Sequence, residues 1–380
     1  MYLRILDLQK ILSGSNKKNS YFLFGPRATG KTHLIENNLA QALVFDLLDD
    51  DIYEEFLRRP KVLSEKIKTN SQLVVIDEIQ KLPILLDEVH RLIEKRGIQF
   101  LLTGSSARKL KREGANMLGG RAREINLFPL VYSEIKDFDL EKYLNYGGLP
   151  IVYQSDQPIE DLQAYVRTYL SEEIKKEAAV RNYERFVRFL ETMAISNGQE
   201  INYATLSSES GVPARTIEGH IEVLKDTLIA FELLPFTKTV KRKAVSKSKF
   251  YFFDTGVANF LAQKLPLKIN QTDIGISFEQ FIILEIRAYL SYFRKVHKIS
   301  YWRTKTYEVD LIIGNEIAIE VKFSEKFKDE YSKGLVALSE EKIVEKYYVV
   351  GRFKSEGTFE FIEYINYINF LKLLWSHKIV

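Results

Sequence analysis

Along the first 130 residues, short uninterrupted apolar runs alternate with stretches whose apolar positions recur at helical spacing. The runs are Tyr21–Phe24, Leu43–Leu47, Leu73–Ile76 and Phe100–Leu102. A strand buried on both faces has no polar side to present, so such runs between amphipathic helices predict a parallel sheet covered by helices. From about Leu140 to Met193 the pattern is helical, with Tyr165, Tyr169 and Ile174 followed by Phe186, Phe189 and Leu190. Residues 201–253 read as helix, turn, helix and hairpin. After about Ile274 come a long apolar helix, several strands and an amphipathic helix in the aromatic tail. There is no internal repeat. Three blocks are predicted, with boundaries near 185 and 260: residues 1–185, 186–260 and 261–380.

Composition narrows the class. A chain of 380 residues predicts two or three domains. With 46% hydrophobic and 28% charged residues, disorder, collagen and coiled-coil arrays are excluded. Lys+Arg minus Asp+Glu is 55 − 51 = +4, a mild basic bias. The absence of cysteine excludes a disulfide scaffold, Cys-based zinc sites and a catalytic thiol, and it fits a reducing cytoplasm. Arg4, Asp7 and Lys10 interrupt any signal-peptide core. Glu363, Asn366, Asn369 and Lys372 break the apolar tail, which is too short to span a bilayer. A soluble cytoplasmic protein without a membrane segment is expected.

Gly25-Pro26-Arg27-Ala28-Thr29-Gly30-Lys31-Thr32 fits GxxxxGK[ST] between a predicted strand and a predicted helix. Glycines let the backbone curl so that its N–H groups point inward, and the helix N-terminus adds positive potential. Lys31 can then reach the β/γ-phosphates of ATP, and the Thr32 hydroxyl can ligate Mg²⁺. The run Leu73-Val-Val-Ile76-Asp77-Glu78 ends in two acids at the carboxyl edge of the same sheet. There Asp77 would hold the metal's water shell, and Glu78 would orient or deprotonate the attacking water. Phe100–Leu102 leads into Thr103-Gly104-Ser105-Ser106; Ser105 is favoured over its two neighbours as a γ-phosphate sensor, the alternative being a helix cap or turn. Gly119-Gly120-Arg121-Ala122-Arg123 puts a guanidinium on a glycine hinge, suited to an arginine finger acting on a neighbouring subunit or to a surface arginine pair.

In the middle block, Tyr203–Gly211 and Val212–Leu228 read as a helix-turn-helix. The following hairpin, Phe236–Phe253, carries Lys238, Lys241, Arg242, Lys243, Lys247 and Lys249 and, up to Phe253, no acid. It is either the DNA-contacting wing of a winged helix or a solvated face.

The last block pairs Tyr307–Ile313 with Ile317–Phe323 through Gly314-Asn315-Glu316. Period-two alternation sends Glu320 and Lys322 to one face, and a three-residue loop sets Asp310 opposite Glu320. Two acids and an ammonium so placed can bind Mg²⁺ or Mn²⁺ and stabilise a pentacovalent phosphate; a surface salt-bridge ladder is the rival reading. Glu279, among Ile282, Ile283 and Ile286, is a third candidate acid.

Taken together, GPRATGKT (25–32), IDEIQKLP (76–83), LLTGSS (101–106), GGRAREINLFPL (119–130), YGGLP (146–150), FYFFDTGVANFL (250–261), FEQFIILEI (278–286), YEVD and AIEVK (307–322) resemble a prokaryotic family of AAA-type ATPases joined to a C-terminal PD-(D/E)XK nuclease-like domain. The resemblance implies an α/β fold: an AAA-type ATPase core with a helical lid, then a winged helix, then a nuclease-like α/β domain. It places Glu279 on the helix acid, Asp310 on the strand Asp, and Glu320 and Lys322 on the E-x-K. Ala28 departs from the longer polar residue frequent there, and Ser171-Glu172-Glu173 from an Arg-Asp pair common after the lid.

The expected protein binds and hydrolyses ATP with Mg²⁺, with a second Mg²⁺ or Mn²⁺ at the nuclease-like site. Partners in that reading are DNA and a second copy of the chain. Two rivals are a nucleotide switch or assembly protein with a catalytically inactive nuclease-like domain, and a DNA-binding regulator with vestigial ATPase activity.

Overall fold

In a computed structural model the described residues are 2–14, 19–69, 73–106, 108, 110, 118, 122–170, 183–265 and 271–380. Among them, no helix is long and apolar enough to cross a membrane.

Five parallel strands, β1 (Ser20–Phe24), β2 (Leu43–Asp46), β3 (Val74–Asp77), β4 (Phe100–Gly104) and β5 (Ala122–Asn126), form one sheet in the order β2-β3-β4-β1-β5. Period two divides the side chains. Phe22, Phe24, Val74, Ile76, Phe100 and Leu102 pack on one face with Phe56, Leu85, Val89 and Leu92 from the helices Asp50–Arg58 and Leu85–Arg96. Tyr21, Leu23, Val75 and Leu101 pack on the other with Leu8, Leu12, Leu34 and Ile35. Covered on both sides, β1, β3 and β4 had to be apolar runs, and the edge strand β2 reads as one although Val44 is exposed. The exception is β5, an edge strand of sequence AREIN whose one fully buried side chain is Ile125. It left no apolar run to read.

The helices Tyr203–Ser210 and Ala214–Asp226 follow the expected turn at Gly211, whose φ is 66°. The expected hairpin needs correction. The paired strands are β6 (Ala230–Pro235) and β7 (Lys249–Phe252), and residues 236–248 between them form no strand. That segment lies on the C-terminal sheet instead. Its N–H groups at Val240, Lys241 and Arg242 all donate to the Glu341 carboxylate at 2.8–2.9 Å, and the Arg242 guanidinium binds the Ala337 carbonyl and Glu340.

The remaining strands are β8 (Ile299–Arg303), β9 (Glu308–Ile313), β10 (Ile317–Lys322), β11 (Lys346–Gly351), β12 (Gly357–Phe359) and β13 (Ile362–Asn366). With β6 and β7 they make an eight-stranded sheet in the order β12-β13-β11-β10-β9-β8-β6-β7. A boundary at 260 therefore cuts a continuous sheet, because β6 pairs with β8 at Leu234–Ser300 and Pro235–Tyr301.

The 22-residue helix Gln271–Tyr292 joins the two sheets. Phe281, Ile282 and Ile286 pack with Leu311, Ile319 and Val350 of the large sheet, while Ala288 and Tyr292 enter the layer covering β1 and β4. Near its middle, Glu285 is 1% exposed and accepts from the Tyr132 N–H at 2.7 Å and the Trp375 indole N–H at 2.8 Å. Burial pushes its pKa up to about 8 from 4.5, against the pull of those two donors. A carboxyl whose folded pKa is raised contributes stability that is full below its unfolded pKa and is lost as pH rises through the folded value. Between about pH 5 and about pH 8 the wild type is therefore expected to lose more stability than Glu285→Gln. Urea unfolding at the two pH values reads this, and equal losses in both proteins would refute it.

Candidate functional site

The phosphate-binding loop begins where β1 ends. A Cβ on Gly25 would lie 2.6 Å from the Leu127 carbonyl, so only glycine lets the loop pass so close to the chain leaving β5. Gly30, at φ 91°, turns the chain into the helix Lys31–Asn38 and accepts the Leu34 N–H at 2.9 Å. Ala28 also holds a positive φ of 62°. Inside the loop, the Thr29 hydroxyl donates to the Pro26 carbonyl at 2.8 Å, and Arg27 is half-buried. The Lys31 ammonium is buried and donates to the Gly25 and Pro26 carbonyls at 2.8 and 3.3 Å, which puts it within the curl of the loop.

Opposite it stand the residues ending β3. The Thr32 hydroxyl donates to one oxygen of Asp77 at 3.0 Å, so the loop and the acid are in direct register. The other Asp77 oxygen accepts from the Thr103 hydroxyl, whose oxygen in turn accepts the Glu78 N–H at 3.2 Å. Glu78 has a left-handed φ of 58°, uncommon for a residue with a Cβ, and this bend takes the chain out of the sheet immediately after Asp77. The Glu78 carboxylate accepts from the Gln80 amide, which also donates to Ser105 Oγ at 3.1 Å. Gln80 Oε1 is buried without a hydrogen-bond partner among the described residues.

This arrangement brings Lys31, Thr32, Asp77 and Glu78 together as expected. On β4, Thr103 touches Asp77, while Ser105, favoured as the γ-phosphate sensor, lies just past the strand and is bonded to Gln80. Arg121 and Ser171–Glu173 lie outside the described residues.

Two residues at this site were given no role by the sequence. One is Gln80, inside the IDEIQKLP motif. The other is Arg4, whose side chain is 5% exposed. Its guanidinium donates to the Thr29 carbonyl of the loop at 2.8 Å, the Phe128 carbonyl at 2.6 Å, the Tyr292 hydroxyl at 3.1 Å and Glu134 at 3.0 Å.

A second cluster lies in a cavity of about 640 Å³ between the start of β7, the helix Gln271–Tyr292 and strands β9 and β10. Glu279, Asp310, Glu320 and Lys322 all line it. The β9–β10 ladder runs from Ile313–Ile317 to Leu311–Ile319 and ends one step short of Asp310 and Glu320. There Asp310 accepts the Val321 N–H at 2.8 Å instead. Lys322 Nζ lies 2.6 Å from Glu320 and 3.7 Å from Asp310. Glu279 is held by Lys249 at 3.2 Å and by the Tyr251 hydroxyl at 2.6 Å.

Among the described residues, no group of three His, Cys, Asp or Glu side chains could hold a metal ion. The three acids of the expected metal set, Glu279, Asp310 and Glu320, share one cavity, with Lys249 and Lys322 standing against them. Burial, then the nearby Asp310, push Glu320 well above its ordinary pKa, with Lys322 pulling the other way. Burial also raises Glu279, against the pull of Lys249. For Lys249 burial favours loss of the proton, but Glu279 with Tyr251, Asp310 and Glu308 outweighs it and holds the ammonium well above the usual lysine value.

A parallel five-stranded sheet with a glycine-rich loop after β1 and paired acids after β3 is the architecture of a P-loop ATPase-type domain. Consistently, residues 17–136 match the model of an AAA domain. Two domains of unknown function, DUF8612 and DUF4143, match residues 137–272 and 274–370. The first of these takes in both the helices after the AAA segment and the helix-turn-helix. An uncharacterized protein of Mycobacterium tuberculosis is 27% identical over 316 residues, covering 79% of this chain and 69% of its own. The uncharacterized protein MJ1544 of Methanocaldococcus jannaschii is 27% identical over 333 residues, covering 77% and 72%. Among solved structures, a Signal Transduction ATPase with Numerous Domains protein of Pyrococcus horikoshii, with a tetratricopeptide repeat sensor, aligns at a TM-score of 0.28 and 15% identity. The alignment covers 78% of this chain and 48% of that one, so this chain spans about half its length.

Two outcomes follow from the loop's geometry. Glu78→Gln is expected to keep ATP affinity while lowering turnover by ~10²–10⁴-fold, measured as phosphate release beside a binding titration; unchanged turnover would remove Glu78 from the chemistry. Arg4→Ala leaves the buried Glu134 carboxylate without its cation, at a cost of about 3–5 kcal/mol in urea unfolding, and a loss below about 1 kcal/mol would mean that the pair is solvated.

Proposed function

We propose that this protein is an ATP-hydrolysing switch: an AAA-type ATPase core whose nucleotide state alters how the middle and C-terminal parts pack, with the nuclease-like C-terminal part acting as a binding domain. The observation that carries the reading is the convergence of Lys31, Thr32, Asp77, Thr103 and Glu78 on one loop mouth.

When a triphosphate enters, Lys31 exchanges the Gly25 and Pro26 carbonyls for β/γ-phosphate oxygens. Thr32 and Asp77, already in contact, would hold Mg²⁺, which supplies neutralising charge at those oxygens when bound. Glu78 orients the attacking water and takes its proton. Thr103 fixes both acids, since its hydroxyl serves Asp77 and the Glu78 N–H together. Gln80 ties Glu78 to Ser105, so hydrolysis at the loop mouth reaches the end of β4 through a single amide.

A route to the rest of the chain is supported by Arg4, which bonds the loop carbonyl of Thr29 and the Tyr292 hydroxyl at the same time. Tyr292 ends the helix that carries Glu279 and Glu285. In this reading residues 1–185 form the ATPase core and lid, 186–260 a winged helix whose β6–β7 pair extends the sheet of the nuclease-like module, and 261–380 the rest of that module. A DNA-contacting wing draws less support, because Arg242 and Lys249 are engaged within the chain and Lys238 donates to the Asn315 side chain.

Lys31→Ala is expected to abolish ATP binding while leaving the melting temperature in place. ATP should slow hydrogen exchange in residues 271–292 of the wild type and not of this variant. Unchanged turnover in Lys31→Ala would refute the ATPase assignment. Mg²⁺-dependent DNA cleavage that disappears in Asp310→Ala would replace the binding-domain reading with a nuclease.

A further inference from the structure

Lys249 opens β7, so its backbone belongs to the strand pair that follows the helix-turn-helix, yet its side chain ends in the C-terminal cavity. It is 4% exposed. Its ammonium lies 2.7 Å from Glu308 and 3.2 Å from Glu279, and 5.2 Å from the centre of the Tyr301 ring. One positive group thus bridges the helix Gln271–Tyr292 to β9. Lys322 does the same between Glu320 and Asp310.

Four carboxylates, Glu279, Glu308, Asp310 and Glu320, face these two ammonium groups, with Arg303 at the rim against Glu308 at 3.5 Å. The carboxyl groups outnumber the two ammonium groups that face them. Glu320 Oε2 is buried and has no hydrogen-bond partner among the described residues. A carboxylate cluster out of water demands a cation, and an orphaned oxygen is a place where one can bind. A divalent ion bridging the helix acid to the strand acids would need the Glu279 oxygen that Lys249 now holds.

We infer that Lys249 is the resident cation of this carboxylate centre, and that a divalent cation is admitted only when the Lys249 ammonium is withdrawn or removed. The lysine and the ion compete for one position. Its withdrawal is a matter of strand placement, because Lys249 pairs with Leu233 in β6 and forms a bridge with Glu200. The site is therefore a cation site closed by the neighbouring part of the chain.

The test is Mn²⁺ binding by the full nucleotide-free chain, read by electron paramagnetic resonance, with DNA cleavage playing no part in the readout. The wild type is expected to bind no Mn²⁺ that Asp310→Asn abolishes. Lys249→Met is expected to bind Mn²⁺ at least about tenfold more tightly than the wild type, and adding Asp310→Asn should remove that gain. Lys249→Arg, which keeps the charge, should behave as the wild type. Should Lys249→Met fail to fold, Lys249→Gln is read in its place. Wild-type Mn²⁺ binding that disappears in Asp310→Asn would overturn the inference without any Lys249 variant. So would a neutral Lys249 variant that folds and gains no Mn²⁺.

Discussion

Arg4 sets the frame on which the rest is hung. A guanidinium carries five N–H donors and cannot shed its charge, so burying it requires acceptors on every side. Here they come from the phosphate loop, the segment after β5, Glu134 and the end of the helix Gln271–Tyr292. The same Glu134 carboxylate accepts the N–H groups of Ile5 and Val131, so the amino-terminal segment is bonded to the chain after β5 on both sides of the arginine. No element in this joint can shift without stranding a charge or a donor. Loop geometry and helix position are consequently one quantity, and a ligand that moves the Thr29 carbonyl must act on Tyr292.

The acids after β3 work by a comparable economy of groups. Asp77 is buried with both oxygens engaged by hydroxyls, one from the loop helix and one from β4. Thr103 spends its proton on Asp77 and its lone pair on the Glu78 N–H, which fixes the spacing between the two acids. The left-handed bend at Glu78 is the strained element of this unit, and its neighbours hold it in place. A serine at position 103 would keep the hydrogen bonds and lose the methyl that packs them.

Much of the nucleotide half was legible along the chain. A buried parallel strand is an apolar run, and a phosphate loop has a fixed spacing, so β1 to β4 and residues 25–32 carry their own signatures. What escaped was held by partners far away in sequence. Arg4 lies 130 residues from Glu134 and 288 from Tyr292, and nothing in MYLRIL marks it. The edge strand β5 carries Arg123 and Glu124 at exposed positions and buries only Ile125, so it shows no apolar run. Residues 236–248 have the basic composition of a solvated wing, yet three of their N–H groups are spent on Glu341. Composition registers charge, and the partner of that charge is a property of the fold.

The carboxylate centre presses the same point further. Alternation along β10 and the length of the β9–β10 loop put Asp310, Glu320 and Lys322 in one cavity, as their spacing foretold. Spacing says nothing about which cation neutralises them. Desolvated acids recruit the nearest positive group, and Lys249 arrives on a strand whose register is set by β6 rather than by β9 or β10. Since β7 is the outermost strand of the large sheet, the lysine sits at that end of it. Charge in the cavity and placement of that end are coupled by necessity: moving β7 away uncovers Glu279 and Glu308, and any cation that satisfies them favours the moved position. Ion occupancy and domain arrangement are therefore a single equilibrium, and whatever biases one of them biases the other by the same free energy.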